Sequence, residues 1–320
     1  MQELWETEIS TVLESEMRRQ LVVAGTIATT AMSNPVMRIP VNPDTGDDAD
    51  WVIGSGASEK LAYSAATSAG TERSHALKEV VLTAYKLATK EFIAFEEDED
   101  SIIPVLPIVR DALSRRMAKA LDKAMLVGGG TSGGSVVAAV AAQTIASPIK
   151  GLASYDSAAA APAVTISIGG ATPKLTVLKV MEARKNLGAW GLNPSELIIF
   201  VTTQGYYELL EDTNFLTVDK AGPNATILTG QIGSIGNTPV LVSPSFPAFT
   251  GAAGAPAADN ATAVIFNPRN FLVGTHRGMR LDSDDIVIEQ RSVLVASMRV
   301  GMTQLSTVDG AGAVAIRYVA

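Results

Sequence analysis

Residues 96–130 read EEDEDSIIPVLPIVRDALSRRMAKALDKAMLVGGG, and this stretch decides the fold. Apolar residues recur at Ile102, Leu106, Val109, Leu113, Met117, Ala120, Ala124 and Val127, in steps of three or four that place them on one helical stripe. The spacing predicts a long amphipathic helix over residues 101–127. Ser101 can cap its start, and Pro104 and Pro107 fall in or near the first two turns, where a missing N–H costs least. The five carboxylates ahead of it lie at the positive end of the helix dipole. Gly128, Gly129 and Gly130 are expected to stop it, because glycine reaches left-handed conformations without steric cost. At 1.5 Å per residue such a helix is about 40 Å long, which suits a strut between parts of a larger body.

Working outward, the 320 residues leave room for one large or two smaller domains. Apolar residues make up 47% against 18% charged and 5% aromatic, so the chain is globular but rich in Ala, Gly and Val. Such a composition leaves surface that partners would bury, which suggests assembly. No apolar run approaches the roughly 18 residues that span a bilayer, and the first residues are acidic where a signal peptide is basic, so no membrane partner is expected. The absence of cysteine excludes disulfides and thiolate metal sites. A net charge of −8 argues against a chain built to grip nucleic acid by its phosphates.

Residues 1–30 carry an imperfect helical pattern mixed with Glu and Arg, which reads as an arm and not as core. VMRIPV (36–41) reads as a strand, NPDTGDDAD (42–50) supplies turn residues, and residues 36–75 together read as a long two-stranded excursion. An isolated hairpin is marginal in water, so this one is expected to be mobile unless a neighbour packs on it. Its large aromatics Trp51 and Tyr63 have little core of their own and are the leading candidates to anchor in a partner. Residues 77–95 read as strand, residues 131–170 as an extended connection containing one strand (AVTISI, 163–168), and residues 175–187 as a helix with Thr172 as cap, Pro173 in the first turn and Gly188 after its end. LIIFV (197–201) reads as a strand buried on both faces, followed by a helix over residues 204–212. Beyond it lie a glycine-rich loop and strand (228–247), a low-complexity loop (248–262), strands over residues 264–280 and 285–302, and a last strand in GAVAIRYVA.

Motifs that carry chemistry are few. GTSGG (130–134) has the G-x-S-x-G spacing of serine hydrolases, but the helix precedes the glycines instead of following them, and the two histidines, His75 and His276, lack a readable triad context. A small hydrolase using Ser132 is therefore the rival from another class. NPDTGDDAD lacks the spacing and distal Glu of a calcium loop, and GQIGSIG (230–236) has no following Lys-Ser or Lys-Thr, so neither a metal nor a nucleotide cofactor is assigned. Arg18, Arg19, Arg115 and Arg116 are interleaved with acids and read as surface and intersubunit ion pairs.

The order of these elements resembles the major capsid protein of tailed bacteriophages, the Hong Kong 97 fold. The resemblance rests on the long helix ending in LVGGGTSGG, then LIIFVTTQGYYELLED, GSIGNTPVLVSPSFP, NPRNFLVGTHRGMRL and RSVLVASMRVG, and covers nearly the whole chain. It implies an α+β fold with an N-terminal arm (1–34), an extended loop lying over a neighbour (35–76), and a peripheral domain with a spine helix (77–130). An axial α/β domain (131–268), return strands of the peripheral domain (269–308) and a closing axial strand (309–320) complete it. The implied function is a structural, non-enzymatic subunit of an icosahedral shell. It would form pentamers and hexamers and enclose double-stranded DNA in the virion after assembly in the host bacterial cytoplasm. A portal and a separate scaffold protein are the implied partners, the latter because no long removable scaffolding segment precedes the arm, with decoration proteins as further candidates. An encapsulin-like compartment is the alternative within the fold. In crosslinking relatives a lysine on the extended loop joins a neighbour's asparagine; Lys60 is the lysine by position, but no asparagine follows Asn270. Trp51, Lys60, Tyr63, Leu106, Leu113, Arg115 and Arg116 are the candidate assembly residues.

Overall fold

The computed structural model describes residues 22–41, 78–96, 105–129, 131–132, 135–136, 147–157, 164–167, 174–212, 233–246, 261–305 and 312–319. Among the described residues three helices, α1 (Val105–Val127), α2 (Val177–Asn186) and α3 (Thr203–Leu210), accompany two main sheets. The four-stranded sheet has the order β1 (Ala28–Ala31), β12 (Phe271–Ile286), β13 (Arg291–Gln304), β4 (Tyr85–Ala94), with β1 parallel to β12 and the other pairs antiparallel. The six-stranded sheet has the order β7 (Val164–Ser167), β14 (Ala313–Val319), β11 (Ala261–Phe266), β8 (Ile198–Val201), β10 (Thr238–Val242), β9 (Ser234–Ile235). Two short ribbons remain: β2 (Val36–Val41) against β3 (Lys78–Thr83), and β5 (Thr131–Ser132) against β6 (Ser135–Val136). Helices and sheets mix as the α+β reading expects.

The period of each element explains where it sits. On β13 the alternate residues Leu294, Ala296, Met298, Val300 and Met302 are buried, and with Ile93 of β4 they pack against α1. The helix is wrapped more fully than its single stripe implied: Ser114, Ala118, Leu121, Asp122 and Met125 form a second buried row beside Leu113, Met117 and Ala124. One apolar cluster runs from α1 into both sheets. Its aromatic hinge is a chain of rings, with Phe200 stacked on Phe266 at 5.5 Å, Phe266 edge-on to Phe271 at 6.0 Å, and Phe271 edge-on to Tyr155 at 5.2 Å. Phe266 ends a strand of one sheet and Phe271 begins a strand of the other, so these contacts lock the sheets together.

Several expectations are corrected. The end of the arm is core: Val23, Ala24 and Ile27 are buried in the main cluster, and β1 adds a strand to the sheet. Residues 147–157 are not a loose connection. Ile149, Leu152 and Ala153 are buried, and a 3-10 turn at Leu152–Ser157 packs against α1 and β14. Gly128 follows the helix for a reason other than left-handed backbone. A Cβ there would lie 2.2 Å from the Ile149 carbonyl oxygen, so glycine admits this segment to the helix end.

The helix read from residue 175 begins at Val177 instead. Its N-cap position is Thr176, extended at φ −123° and ψ 160°, and the Thr172–Pro173 start lies outside the described residues. Gly188 does end it, at φ 62°. Strand β11 starts at Ala261, within what read as loop. The acidic stretch Asp282, Ser283, Asp284, Asp285 is strand, and the hairpin turns later, at Val287–Glu289, closing through Gln290 in the left-handed region. In the glycine-rich loop, Gly236 and Asn237 have φ of 54° and 66°, the two positive values a tight β-hairpin turn requires between paired Ile235 and Thr238.

Candidate assembly surfaces

Buried carboxylates position the peripheral parts of the subunit. Asp122, on the buried side of α1, accepts hydrogen bonds from the N–H of Val22 at 2.7 Å and of Val23 and Ala24 at 3.2 Å each. These donors open a short 3-10 turn, and such N–H groups have no partner within their own turn. The carboxylate thus fixes the turn at Ala24–Thr26 to α1. Burial pushes its carboxyl above the ordinary value of 3.8, against the opposing pull of the three N–H groups.

A second cluster joins α2, α3 and β14. Glu208 Oε2 accepts from the Leu175 N–H at 2.6 Å and from the Tyr318 hydroxyl at 2.5 Å, and Asp212 Oδ2 accepts from the Val177 N–H at 2.8 Å. Both acids lie on or just after α3 and serve the start of α2, which its own sequence leaves without a side-chain cap. Burial, then the adjoining Glu208, pushes the Tyr318 hydroxyl far up, so it stays a donor. Thr202 caps α3 by accepting from the Gly205 N–H at 2.9 Å. Sequence reading missed Asp122 and Glu208. The only local signal was an acid on an otherwise apolar helix face.

The candidate residues are distributed as follows. Trp51, Lys60 and Tyr63 lie outside the described residues, as does the acidic segment 42–50. The base of the loop is in place, with β2 and β3 paired from Val36↔Thr83 to Val41↔Lys78. Leu106 lies in the first turn of α1. Leu113 is fully buried in the core of the chain itself and is not on its surface. Arg115 pairs with Asp111 one turn earlier, and Arg116 reaches across to Glu91 of β4. Both arginines are therefore engaged within the chain. For the hydrolase reading, Ser132 sits in β5 opposite Ser135, His276 lies on β12 of the four-stranded sheet, and His75 is outside the described residues.

Comparison with known proteins accords with this architecture. The family model described as the phage capsid family matches residues 4–306. The major capsid protein of Escherichia phage T5 is 31% identical over 300 residues, covering 94% of this chain and 59% of that protein. The chain thus spans about three fifths of that relative's length. Among solved structures, a chain of Mycobacterium phage Bobi matches with a TM-score of 0.63 at 15% identity, covering 93% of this chain and 90% of that one. The asymmetric unit of the bacteriophage PhiM1 mature capsid matches with a TM-score of 0.59 at 14% identity, covering 93% and 87%. At such identities the structural likeness speaks to the fold, which is the Hong Kong 97 fold that the order of elements resembled. With the family model matched over residues 4–306, the chain belongs to the phage capsid family.

Proposed function

We propose that this chain is the structural subunit of an icosahedral bacteriophage shell, a non-enzymatic protein that assembles into pentamers and hexamers enclosing double-stranded DNA. The observation that carries the reading is the extent of the fold match, 93% of the chain against capsid chains. In this reading α1 and the four-stranded sheet form the peripheral domain, and the six-stranded sheet with α2 and α3 forms the axial domain that meets at capsomer centres. Residues 35–76 form the extended loop lying over a neighbour, and residues 1–21 form the arm leaving from Asp122. Assembly takes place in the host bacterial cytoplasm with scaffold and portal proteins as partners, and decoration proteins are candidate additions to the finished virion shell.

Sedimentation of the purified protein with electron microscopy of the pellet tests this. Closed particles of megadalton size are expected, and a monomer or dimer under all assembly conditions overturns it. Nucleic acid extracted from native particles is expected to be double-stranded DNA; a cargo enzyme in its place would identify an encapsulin-like compartment.

A further inference from the structure

The four-stranded sheet carries opposite charge at its two ends. On the face turned away from α1, Arg277 stands opposite Arg299 and Arg299 opposite Lys86, a row of three cations across three strands. Like charges paired directly across a sheet oppose folding. Among the described residues none of the three has a carboxylate partner; Arg277 reaches only the Ser297 hydroxyl, at 2.9 Å. A lysine on the edge strand β4 also deters edge pairing, as can Arg277, which lies just past the last β1 pair at Thr275, but Arg299 lies on an interior strand, where that reason does not apply. Beside this row β3 crosses the face, at the point where a Cβ on Gly301 would lie 2.0 Å from the Thr83 carbonyl oxygen. There the β2–β3 ribbon leaves Val81 and Val36 about half exposed.

The other end of the sheet is acidic. From Lys86 to Ala94 strand β4 runs about 26 Å at 3.3 Å per residue. At that far end lie Asp284 and Asp285 of β12, Glu289 in the hairpin turn, and Glu96, held near the turn by the Phe95 N–H donating to the Gln290 carbonyl at 3.1 Å. The arginine there, Arg291, is neutralised locally by Glu289; Arg280 stands opposite Ser297, two positions from Arg299, and is neutralised by Asp282. The turn also presents Val287 and Ile288, 75% and 97% exposed, on an otherwise acidic tip.

We propose that the acidic, apolar-tipped end of the β12–β13 hairpin of one copy docks on the basic end of a second copy. Asp284 and Asp285 face Lys86, Arg299 and Arg277, and Ile288 packs against Val81 and Val36. The inference rests on the shell reading for its biological setting. Charge complementarity selects the occupant: in a chain of net charge −8, the unpaired cationic row is matched by an acidic end present on every other copy. Because two different patches meet, the contact is head-to-tail, and a head-to-tail contact closes into a ring or runs on.

A charge-swap experiment tests this. One variant reverses the basic end (Lys86→Glu with Arg299→Glu), another the acidic end (Asp284→Lys with Asp285→Lys), and a third carries all four changes; circular dichroism melts verify that each is folded. Each two-site variant alone is expected to lose about tenfold or more of the assembled fraction in sedimentation, as like charges meet like at the contact. The equimolar mixture of the two, and the four-site variant, are expected to regain it. Assembly of both two-site variants at the parent level overturns the proposal, as does failure of both the mixture and the four-site variant to recover. If only the basic-end variant is impaired, and it also loses retention of a DNA duplex of about 30 base pairs in a gel shift, the row is a nucleic-acid surface and the proposal is wrong. A parent chain that forms no particles overturns the shell reading separately. Head-to-tail pairing is then still decided by whether the mixture forms heterodimers that neither variant forms alone.

Discussion

The main-chain N–H of Val22 donates a 2.7 Å hydrogen bond to Asp122 Oδ2, tying the backbone ahead of β1 to the long helix α1, one hundred positions away in sequence. With Val23 and Ala24 donating as well, one buried carboxylate holds a whole turn of backbone.

Replacing Asp122 by Ala leaves three buried or half-buried N–H groups without their acceptor, and the expected loss of stability is about 2–3 kcal/mol in chemical denaturation. The pH dependence has a definite sign. Because burial raises the Asp122 carboxyl above 3.8, the folded protein holds that proton more tightly than the unfolded chain. Its contribution to stability is therefore fullest in acid and declines as the pH rises from 3.8 through the raised folded value. Melting curves of the parent and of Asp122→Asn, compared between about pH 3 and pH 7, should show the parent losing stability relative to the amide as pH rises. The opposite slope would mean that the hydrogen bonds outweigh the burial.

Tyr318→Phe removes one of the two donors to Glu208 Oε2 and is expected to cost about 1–2 kcal/mol. Glu208→Ala should cost more, since it strips the acceptor from both the Leu175 N–H and the Tyr318 hydroxyl at once. Equal losses from the two substitutions would show that the Leu175 bond contributes little.

Gly128→Ala is expected to destabilise by about 3 kcal/mol, because the added methyl meets two main-chain oxygens that cannot rotate away, those of Ile149 at 2.2 Å and Ala124 at 2.3 Å. Gly25→Ala is the control, with nothing within 4 Å of the new Cβ, and should be close to neutral. A tolerated Gly128→Ala would mean that residues 147–157 can lift from the helix end at little cost.

Lys60 is expected to form no isopeptide bond. The reaction needs an amide that loses ammonia as the amine attacks, and no asparagine occurs in residues 271–320; Asp284 and Asp285 offer carboxylates, which are poor acyl donors without activation. Particles boiled in detergent should run as one band near 33.4 kDa. A ladder of multimers that disappears in Lys60→Ala would refute this.

The sequence by itself determined the elements whose cause is local. Helix α1 was readable because its apolar residues repeat every three or four positions, β8 because five apolar residues in a row suit a strand covered on both faces, and the end of α2 because Gly188 alone can take φ of 62° there cheaply. The order of those elements was enough to suggest the family. Only the tertiary structure decided what depends on partners distant in sequence. Asp122 looked like any surface acid until the turn at Val22 arrived, and Glu208 had no visible role until Leu175 and Tyr318 converged on it. Residues 147–157 read as linker because small residues carry no period, and Gly128, which admits them to α1, shows its purpose only in that a Cβ there would lie 2.2 Å from the Ile149 carbonyl oxygen. The cationic row was equally illegible: Lys86, Arg277 and Arg299 are scattered in sequence, and strand register alone sets them side by side.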